Sequence, residues 1–249
     1  MNDNPWYLDE SFWRGCYQVL FTKERFAQAP SEIENVLTLV NFNGQRILDM
    51  PCGPGRHTVV LAQQGYQVTG VDHSEYLLAK AEKYARDSNI AVEWVKADMR
   101  DFSRTNAYDL VQNLFSSFGY FEDQDDDIKL LSNFYESLRS GGKIILDLKS
   151  REILTRDWTP DLSTPVQVNS QLSEKLELDP DKRWIRTEWT VIRHGKRHRY
   201  HFQLRLYSAD ELSTLLTRAG FVNVRTYGSL AGVPYSDESL RLVIVAEKE

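Results

Sequence analysis

The sequence predicts an α/β fold, a mostly parallel sheet covered by helices on both faces, with an antiparallel β-meander inserted late in the chain. Three observations carry this. Helical and strand periods alternate from about residue 31 onward, the pattern of a parallel sheet with crossover helices. Asp49, Asp72, Asp98 and Asn113 fall at or just past the ends of apolar strands, where such sheets open their ligand crevice. Between about Trp158 and Tyr207 the apolar period changes to two, the mark of strands with one buried face.

The elements follow in order. Ser31 with Glu34 reads as a capping box opening a helix that runs through Leu39. Arg46 to Asp49 is the first strand, and Val59, Val60, Leu61 and Ala62 sit on a short helix ended by Gly65. Val68 to Val71 is the second strand. Ser74 then caps a helix on which Leu77, Leu78, Ala81 and Ala85 recur at helical spacing. Val92 to Lys96, Leu110 to Asn113 and Ile144 to Leu148 are strands three to five, with a helix near Asp126 to Leu138 between the last two. The meander comprises Val166 to Leu178, a segment around Ile185, Trp189 and Val191, and one carrying Tyr200, Phe202, Leu204 and Leu206, joined at Asp179-Pro180-Asp181 and near Gly195. Ser208 with Glu211 is a second capping box, its helix ends near Gly220, and Phe221 to Tyr227 and Leu242 to Glu247 are the final strands.

The chain, 1–249, is expected to form a single domain: an amino-terminal lid segment at 1–30, an α/β core at 31–157 and 208–249, and the inserted meander at 158–207. A net charge of −6 argues against binding nucleic acid by bulk electrostatics. Cys16 and Cys52 are too few for a disulfide framework or a zinc cluster. No stretch approaches the roughly 18 apolar residues of a membrane helix, and the first residues lack signal-peptide character. A soluble, cytoplasmic protein with no membrane partner is the expectation.

Between the first strand and its helix runs Asp49-Met50-Pro51-Cys52-Gly53-Pro54-Gly55-Arg56-His57. Gly53 and Gly55 lack a Cβ, so a ligand can approach bare backbone. Asp72, at the tip of the next strand, stands at the separation from which an acid accepts hydrogen bonds from ribose hydroxyls. Together these read as a nucleoside-cofactor site. A nicotinamide dehydrogenase shares this logic, but its third glycine would fall at Thr58, and it leaves Asp98 and Asn113 unexplained.

In this order the motifs resemble those of class I S-adenosylmethionine-dependent methyltransferases over nearly the whole chain. Ile47 to Gly55 resembles the family's first motif, Val71-Asp72 the second, Ala97-Asp98-Met99 the adenine-side acidic motif, Asp109 to Phe115 the fourth-strand motif, and Leu138 to Lys143 the turn into strand five. The resemblance implies a Rossmann-like seven-stranded sheet whose last strand is antiparallel, and S-adenosyl-L-methionine as donor with S-adenosyl-L-homocysteine as product. It also implies a cofactor site built from Asp49, Pro51, Gly53, Gly55, Asp72, His73, Asp98, Met99, Asn113 and Phe115. In that set Gly53 and Gly55 pass beside the methionine portion, Asp72 binds the ribose and Asp98 faces the adenine amino group. Pro51 departs from the family's usual glycine, fixing φ and removing one N–H donor.

The run Asn113-Leu114-Phe115-Ser116-Ser117-Phe118-Gly119-Tyr120-Phe121, with the meander before a final helix, resembles the small-molecule subgroup related to the sugar N,N-dimethyltransferases. This implies methyl transfer to nitrogen or oxygen of a small acceptor. An RNA or protein methyltransferase docking through the basic meander, and a noncatalytic S-adenosylmethionine-binding module, are the alternatives.

Trp13, Tyr17, Tyr120 and Tyr235 are candidate acceptor-pocket walls, with core packing as the competing role for such aromatics. His57, at the start of the helix after the loop, is the candidate general base; hydrogen bonding to nearby groups or packing against the lid is the other reading. His201 on the meander is a weaker candidate, and Cys52 suits a small packing residue better than a nucleophile. The run Lys182 to Arg205 holds eight Lys or Arg against the single acid Glu188, reading as a solvated face or homodimer contact. Glu122, Asp123, Asp125, Asp126 and Asp127 read as helix-start charges, so no metal is expected.

Overall fold

The computed structural model describes residues 5–156, 172–193 and 195–249. Its sheet comprises β1 (Arg46–Asp49), β2 (Gln67–Asp72), β3 (Glu93–Lys96), β4 (Tyr108–Asn113), β5 (Leu138–Leu148), β9 (Phe221–Tyr227) and β10 (Leu242–Lys248). They lie in the order β3-β2-β1-β4-β5-β10-β9, with β10 antiparallel to both neighbours and the first five parallel. The order therefore reverses between β1 and β4, which places a crevice beyond the carboxyl ends of those strands.

Adjacent residues of one strand serve opposite faces. Ile47 and Ile145 join one apolar cluster with Ala29, Ile33 and Val36, while Leu48, Ile144 and Leu146 join another with Leu130, Phe134 and Leu216. The first layer belongs to α2 (Lys23–Leu39) and α3 (Arg56–Gln63), the second to α5 (Gln124–Ser137) and α7 (Ala209–Arg218). Between β2 and β3 runs α4 (Glu75–Asp87), whose cap is Ser74 Oγ accepting from Leu77 N–H. The capping box of α7 forms as expected, with both Ser208 and Glu211 engaged.

Two boundaries and one helix differ from expectation. Helix α2 starts at Lys23, capped by Thr22, and Ser31 lies within it, donating its hydroxyl to the Gln28 carbonyl at 2.9 Å. Pro30 inside the helix removes one donor, but burial of Ala29, Ile33 and Val36 on either side carries the helix across it. Strand β5 begins at Leu138, through the segment expected as a turn, because Leu138 pairs with Tyr108 before the ladder slips and resumes. A short helix, α6 (Arg151–Arg156), follows β5; the sequence signals did not mark it.

A second sheet, β6 (Leu172–Leu178), β7 (Trp184–Arg193) and β8 (Lys196–Arg205), is the antiparallel meander in the order β6-β7-β8. Val166 and Val168, expected on its first strand, lie outside the described residues. The apolar face of the meander, including Leu172, Trp189 and Val191, packs on Phe12, Cys16 and Val19 of α1 (Glu10–Leu20). The amino-terminal aromatics thus pack chiefly against the meander. No described helix is long and apolar enough to cross a membrane.

Candidate functional site

The loop after β1 is stitched to the strands on either side. Met50 N–H donates to the Gln112 carbonyl at 3.0 Å and Cys52 N–H to the Val71 carbonyl at 2.8 Å; the Met50–Pro51 peptide is cis. Gly53, at φ 54°, donates its N–H to Asp72 Oδ2 at 2.8 Å. Ser74 N–H reaches Asp72 Oδ1 at 2.9 Å. Burial, with lesser contributions from Asp49 and Glu10, outweighs those two bonds and raises the Asp72 carboxyl to about 6. Asp49 is buried, accepts from Thr58 Oγ1 at 2.5 Å, and is likewise raised by burial.

Above this loop lies a cavity of about 290 Å³. Asp49, Pro51, Gly53, Asp72, His73, Asp98, Met99 and Phe115 line it from the strand ends, with His57, Trp13 and Tyr120 also on its wall. Four expected residues stand elsewhere. Gly55 is the N-cap of α3, and a Cβ there would come within 2.9 Å of Ala81 and Trp94; its glycine is a packing requirement between α3, α4 and β3. Asn113 is buried behind the loop, its Nδ2 donating to the Met50 carbonyl at 3.0 Å. Tyr17 packs edge-on against Tyr76, and Tyr235 shares a hydrogen bond with Ser150 Oγ at 2.7 Å. Neither ring lines the cavity.

Two of the carboxylates lining the cavity, Asp72 and Asp98, differ. Asp98 receives Arg100 twice, Nε at 3.1 Å and Nη2 at 2.7 Å, as well as the Arg100 backbone N–H. Burial works against its charge, but these bonds win and hold Asp98 below the ordinary carboxylate range. Asp72 has only backbone donors. It keeps lone pairs for further donors, since a carboxylate offers about four acceptor sites.

His57 Nε2 lies 2.7 Å from Glu32 Oε2, which also pairs with Arg56. Burial alone would raise Glu32, but the hydrogen bond from His57 and the charge of Arg56 bring it down to about 2. An ionised carboxylate only accepts, so His57 Nε2 is the donor of this bond and Nδ1 is not engaged by Glu32. His201 lies outside this cavity, an exposed side chain 3.6 Å from Glu188. Burial pushes the Cys52 thiol well up, in keeping with a packing role.

Sequence reasoning missed the cations of this wall. Arg25, Arg56, Lys149 and Arg241 line the cavity, and the Phe115 ring lies 4.6 Å from the Arg25 guanidinium and 5.0 Å from that of Arg56. Phe115 and Ser116 both adopt positive φ, 64° and 59°. Asp147 holds them there, its Oδ2 accepting from Phe115 N–H and its carbonyl from Ser116 N–H, while Arg241 Nε donates to Oδ1 at 2.7 Å. Only Arg56, beside the glycines, adjoins a sequence signal.

The opposite wall is aromatic. Trp6 Nε1 donates to the Gln203 carbonyl at 3.0 Å and its ring meets Tyr120 edge-on at 4.7 Å. Trp13 Nε1 donates to the Tyr7 carbonyl at 2.8 Å. Burial raises the Tyr120 phenol to about 12.

Outside the cavity, Arg186, Lys196, Arg197 and Arg199 are exposed on the meander. Arg205 differs, lying over the Trp184 ring at 4.4 Å and 3.6 Å from the buried Asp127. The acids before α5 are engaged separately. Asp123 caps the helix, Asp126 pairs with Arg100, and Asp127 accepts from Tyr207 Oη at 2.7 Å.

Residues 47–142 match the family model described as a methyltransferase domain. A glycine/sarcosine N-methyltransferase of Aphanothece halophytica is 26% identical over 227 residues, 90% of this chain and 84% of that protein. A dTDP-3-amino-3,4,6-trideoxy-alpha-D-glucopyranose N,N-dimethyltransferase of Streptomyces venezuelae is 26% identical over 122 residues, 49% of this chain and 50% of that one. The solved structure of an S-adenosylmethionine-dependent methyltransferase from Clostridium acetobutylicum superposes with a TM-score of 0.79 at 16% identity, covering 96% of this chain and 98% of that one. The fold is that of the class I, Rossmann-like methyltransferases. Residues 47–142 are thus similar to a methyltransferase domain on this fold, and the chain resembles N-methyltransferases that include a sugar N,N-dimethyltransferase.

Proposed function

We propose that this enzyme transfers the methyl group to a nitrogen or oxygen nucleophile of a small-molecule acceptor, in the cavity between the strand ends and a lid made of the amino-terminal segment and the meander. The observation that carries this reading is that one cavity joins the glycine loop and Asp72 to a wall of aromatic side chains. The relatives named for glycine, sarcosine and an amino sugar support a small acceptor.

The donor set suits the cofactor. Asp72, buried with only two N–H partners, has acceptor capacity left for ribose hydroxyls. Pro51 and Gly53 present bare backbone toward the methionine portion, Asp49 holds the loop from below, and His73, Asp98 and Met99 flank the adenine. Gly55 and Asn113 act from behind, by packing and by fixing the loop. Trp13, Tyr120 and Phe115 are the proposed acceptor walls. When bound, S-adenosylmethionine supplies an electrophilic methyl group on a sulfonium. The chain must hold a nucleophile close and aligned with the methyl group, an effect worth about 7–11 kcal/mol. His57 takes the proton in this reading, through Nδ1, while Glu32 fixes the ring; a neutral amine would not require it.

Calorimetric titration with S-adenosylhomocysteine is expected to give one site per chain. Tighter binding of NADH would overturn the cofactor assignment of these residues. Labelled S-adenosylmethionine incubated with metabolite, RNA and protein fractions should place label in metabolites, and label found only in RNA would refute the small acceptor.

A further inference from the structure

Asp98 lines the cavity, whereas Arg100, two residues on, does not; it lines an outer cleft between the start of α5 and the meander. The guanidinium therefore meets the Asp98 carboxylate from outside the cavity. It does so as a fork, Nε on Oδ1 at 3.1 Å and Nη2 on Oδ2 at 2.7 Å, while the Arg100 N–H adds a second bond to Oδ1 at 2.9 Å. The fork is itself fixed. Nη1 donates to Asp126 on α5 at 2.8 Å, and the guanidinium lies 4.7 Å from the Phe121 ring and 5.8 Å from that of Tyr7. The main chain is held as well. Asn133 Nδ2 donates to the Met99 and Arg100 carbonyls at 3.2 and 2.7 Å, and Asp101 N–H closes a turn on the Asp98 carbonyl at 2.9 Å.

A carboxylate offers about four acceptor sites. Arg100 fills two on Oδ1 and one on Oδ2, and no other group among the described residues donates to this carboxylate. One site on Oδ2 is left, on a side chain that lines the cavity. Burial works to raise the carboxyl, but the Arg100 bonds outweigh it and hold it below the ordinary range. An ionised acid accepts and cannot donate. A base edge that presents an N–H is matched at the open site, whereas one that presents a carbonyl oxygen sets acceptor against acceptor and leaves both unpaired. With both oxygens engaged by one rigid fork, Asp98 cannot turn to relieve that mismatch.

We propose that Arg100 is a positioning residue for nucleobase selection: it fixes the Asp98 carboxylate with one open acceptor site, so that the cofactor site takes the amino edge of adenine and rejects a 6-oxo purine. This rests on the reading that sets Asp98 beside the adenine. Arg100 touches neither cofactor nor acceptor in this arrangement and acts through Asp98. Without the fork the carboxylate is free to swing or to take up a proton, and the penalty on a carbonyl edge is lost.

The test titrates the full chain calorimetrically with S-adenosylhomocysteine and with S-inosylhomocysteine. The two differ only at the base edge, so their affinity ratio cancels any loss common to both. The unaltered protein is expected to favour S-adenosylhomocysteine by about tenfold or more. Arg100→Gln, and Arg100→Lys, which keeps the charge but not the fork, should each reduce the ratio to about threefold or less, with melting temperature checking that both variants fold. Equal binding of the two ligands by the unaltered protein would overturn the proposal. So would a ratio that either variant retains while both affinities fall together, since Arg100 would then support the fold alone. Asp98→Asn separates this inference from the reading beneath it, because its amide can donate to the 6-oxo group and the ratio should collapse there too. A ratio lost in Asp98→Asn but kept in the Arg100 variants overturns this inference alone, whereas a ratio kept in Asp98→Asn, or failure of S-adenosylhomocysteine to bind at all, overturns both.

Discussion

The two walls of the cavity are built by different physics. The strand-end wall is made of buried polar groups fixed by backbone: Gly53 and Ser74 N–H on Asp72, and Met50 and Cys52 N–H on the neighbouring strands. The lid wall is made of aromatic edges between segments far apart in sequence, such as Trp6 against Tyr120 and the Gln203 carbonyl. Backbone bonding of the first kind is inseparable from the sheet. Rings of the second kind can be exchanged without unpairing a strand. One wall is therefore suited to an invariant cofactor and the other to a chosen acceptor.

The largest expected effect lies on the strand-end wall. Asp72→Ala removes the carboxylate proposed to accept from the ribose hydroxyls, and with hydrogen bonds to a charged group worth about 1.5–3 kcal/mol each, affinity for S-adenosylhomocysteine should fall about a hundredfold or more by calorimetry. The pH dependence follows from the same carboxyl, raised to about 6, chiefly by burial. Only the ionised form accepts from two hydroxyls freely, so affinity should drop as pH falls through about 6, and Asp72→Asn should flatten that profile. Stability runs the other way. A carboxyl raised on folding contributes stability that is present below its unfolded value near 4 and lost as pH rises through about 6. Asp72→Asn should accordingly raise the melting temperature more at pH 8 than at pH 5. A flat affinity profile in the unaltered protein would break the first half of the comparison.

Legibility in the sequence divides along the same line. The parallel strands, the loop, Asp72, the Ser74 cap and the capping box at Ser208 all rest on local signals, and the structure places them within a few residues of expectation. Ser31 and Glu34 have the spacing of a capping box but lie inside α2, and the burial of Ala29 and Ile33 carries the helix across Pro30. The strand character of Leu138 to Lys143 depends on pairing with β4, which no local pattern announces. Gly55 and Asn113 were read as facing the ligand, but a spacing cannot distinguish the front of a loop from its back. Arg25, Lys149 and Arg241 reach the cavity from three distant segments, so no stretch of sequence contains that set.

A middle-sized effect is expected on the lid wall. A Cβ at Gly15 would stand 2.0 Å from Tyr200 Oη, so Gly15→Ala displaces the Tyr200 ring that packs between β8 and α1, at a typical overpacking cost of about 1–3 kcal/mol. Faster amide exchange across α1 should report it. Affinity for S-adenosylhomocysteine should stay within about threefold of the unaltered protein, and a loss as large as that of Asp72→Ala would show that the walls are not separable. Gly119→Ala tests the other end of the meander, since its Cβ would meet the Arg205 carbonyl at 2.5 Å and its φ is 90°. There the expected outcome is a lower melting temperature.

The smallest effect belongs to the residue that joins the two walls. Glu10, on α1, accepts from Glu75 N–H at 2.7 Å, Tyr76 N–H at 3.3 Å and Ser74 Oγ at 3.0 Å. It supplies an anion to the open donors at the start of α4, an arrangement worth about 0.3–1 kcal/mol. Ser74 in turn donates its N–H to Asp72, so α1 reaches the acid proposed to bind the ribose through one intermediary. Glu10→Gln keeps an acceptor in place and removes the charge, which should weaken S-adenosylhomocysteine binding by no more than about fivefold. Burial is the main reason that the Asp72 carboxyl is raised, and the Glu10 charge adds to it. Removing that charge should therefore move the pH midpoint of binding downward from about 6. A midpoint that does not move would mean that the lid and the cofactor acid are electrostatically independent, and the comparison between the walls would hold without this bridge.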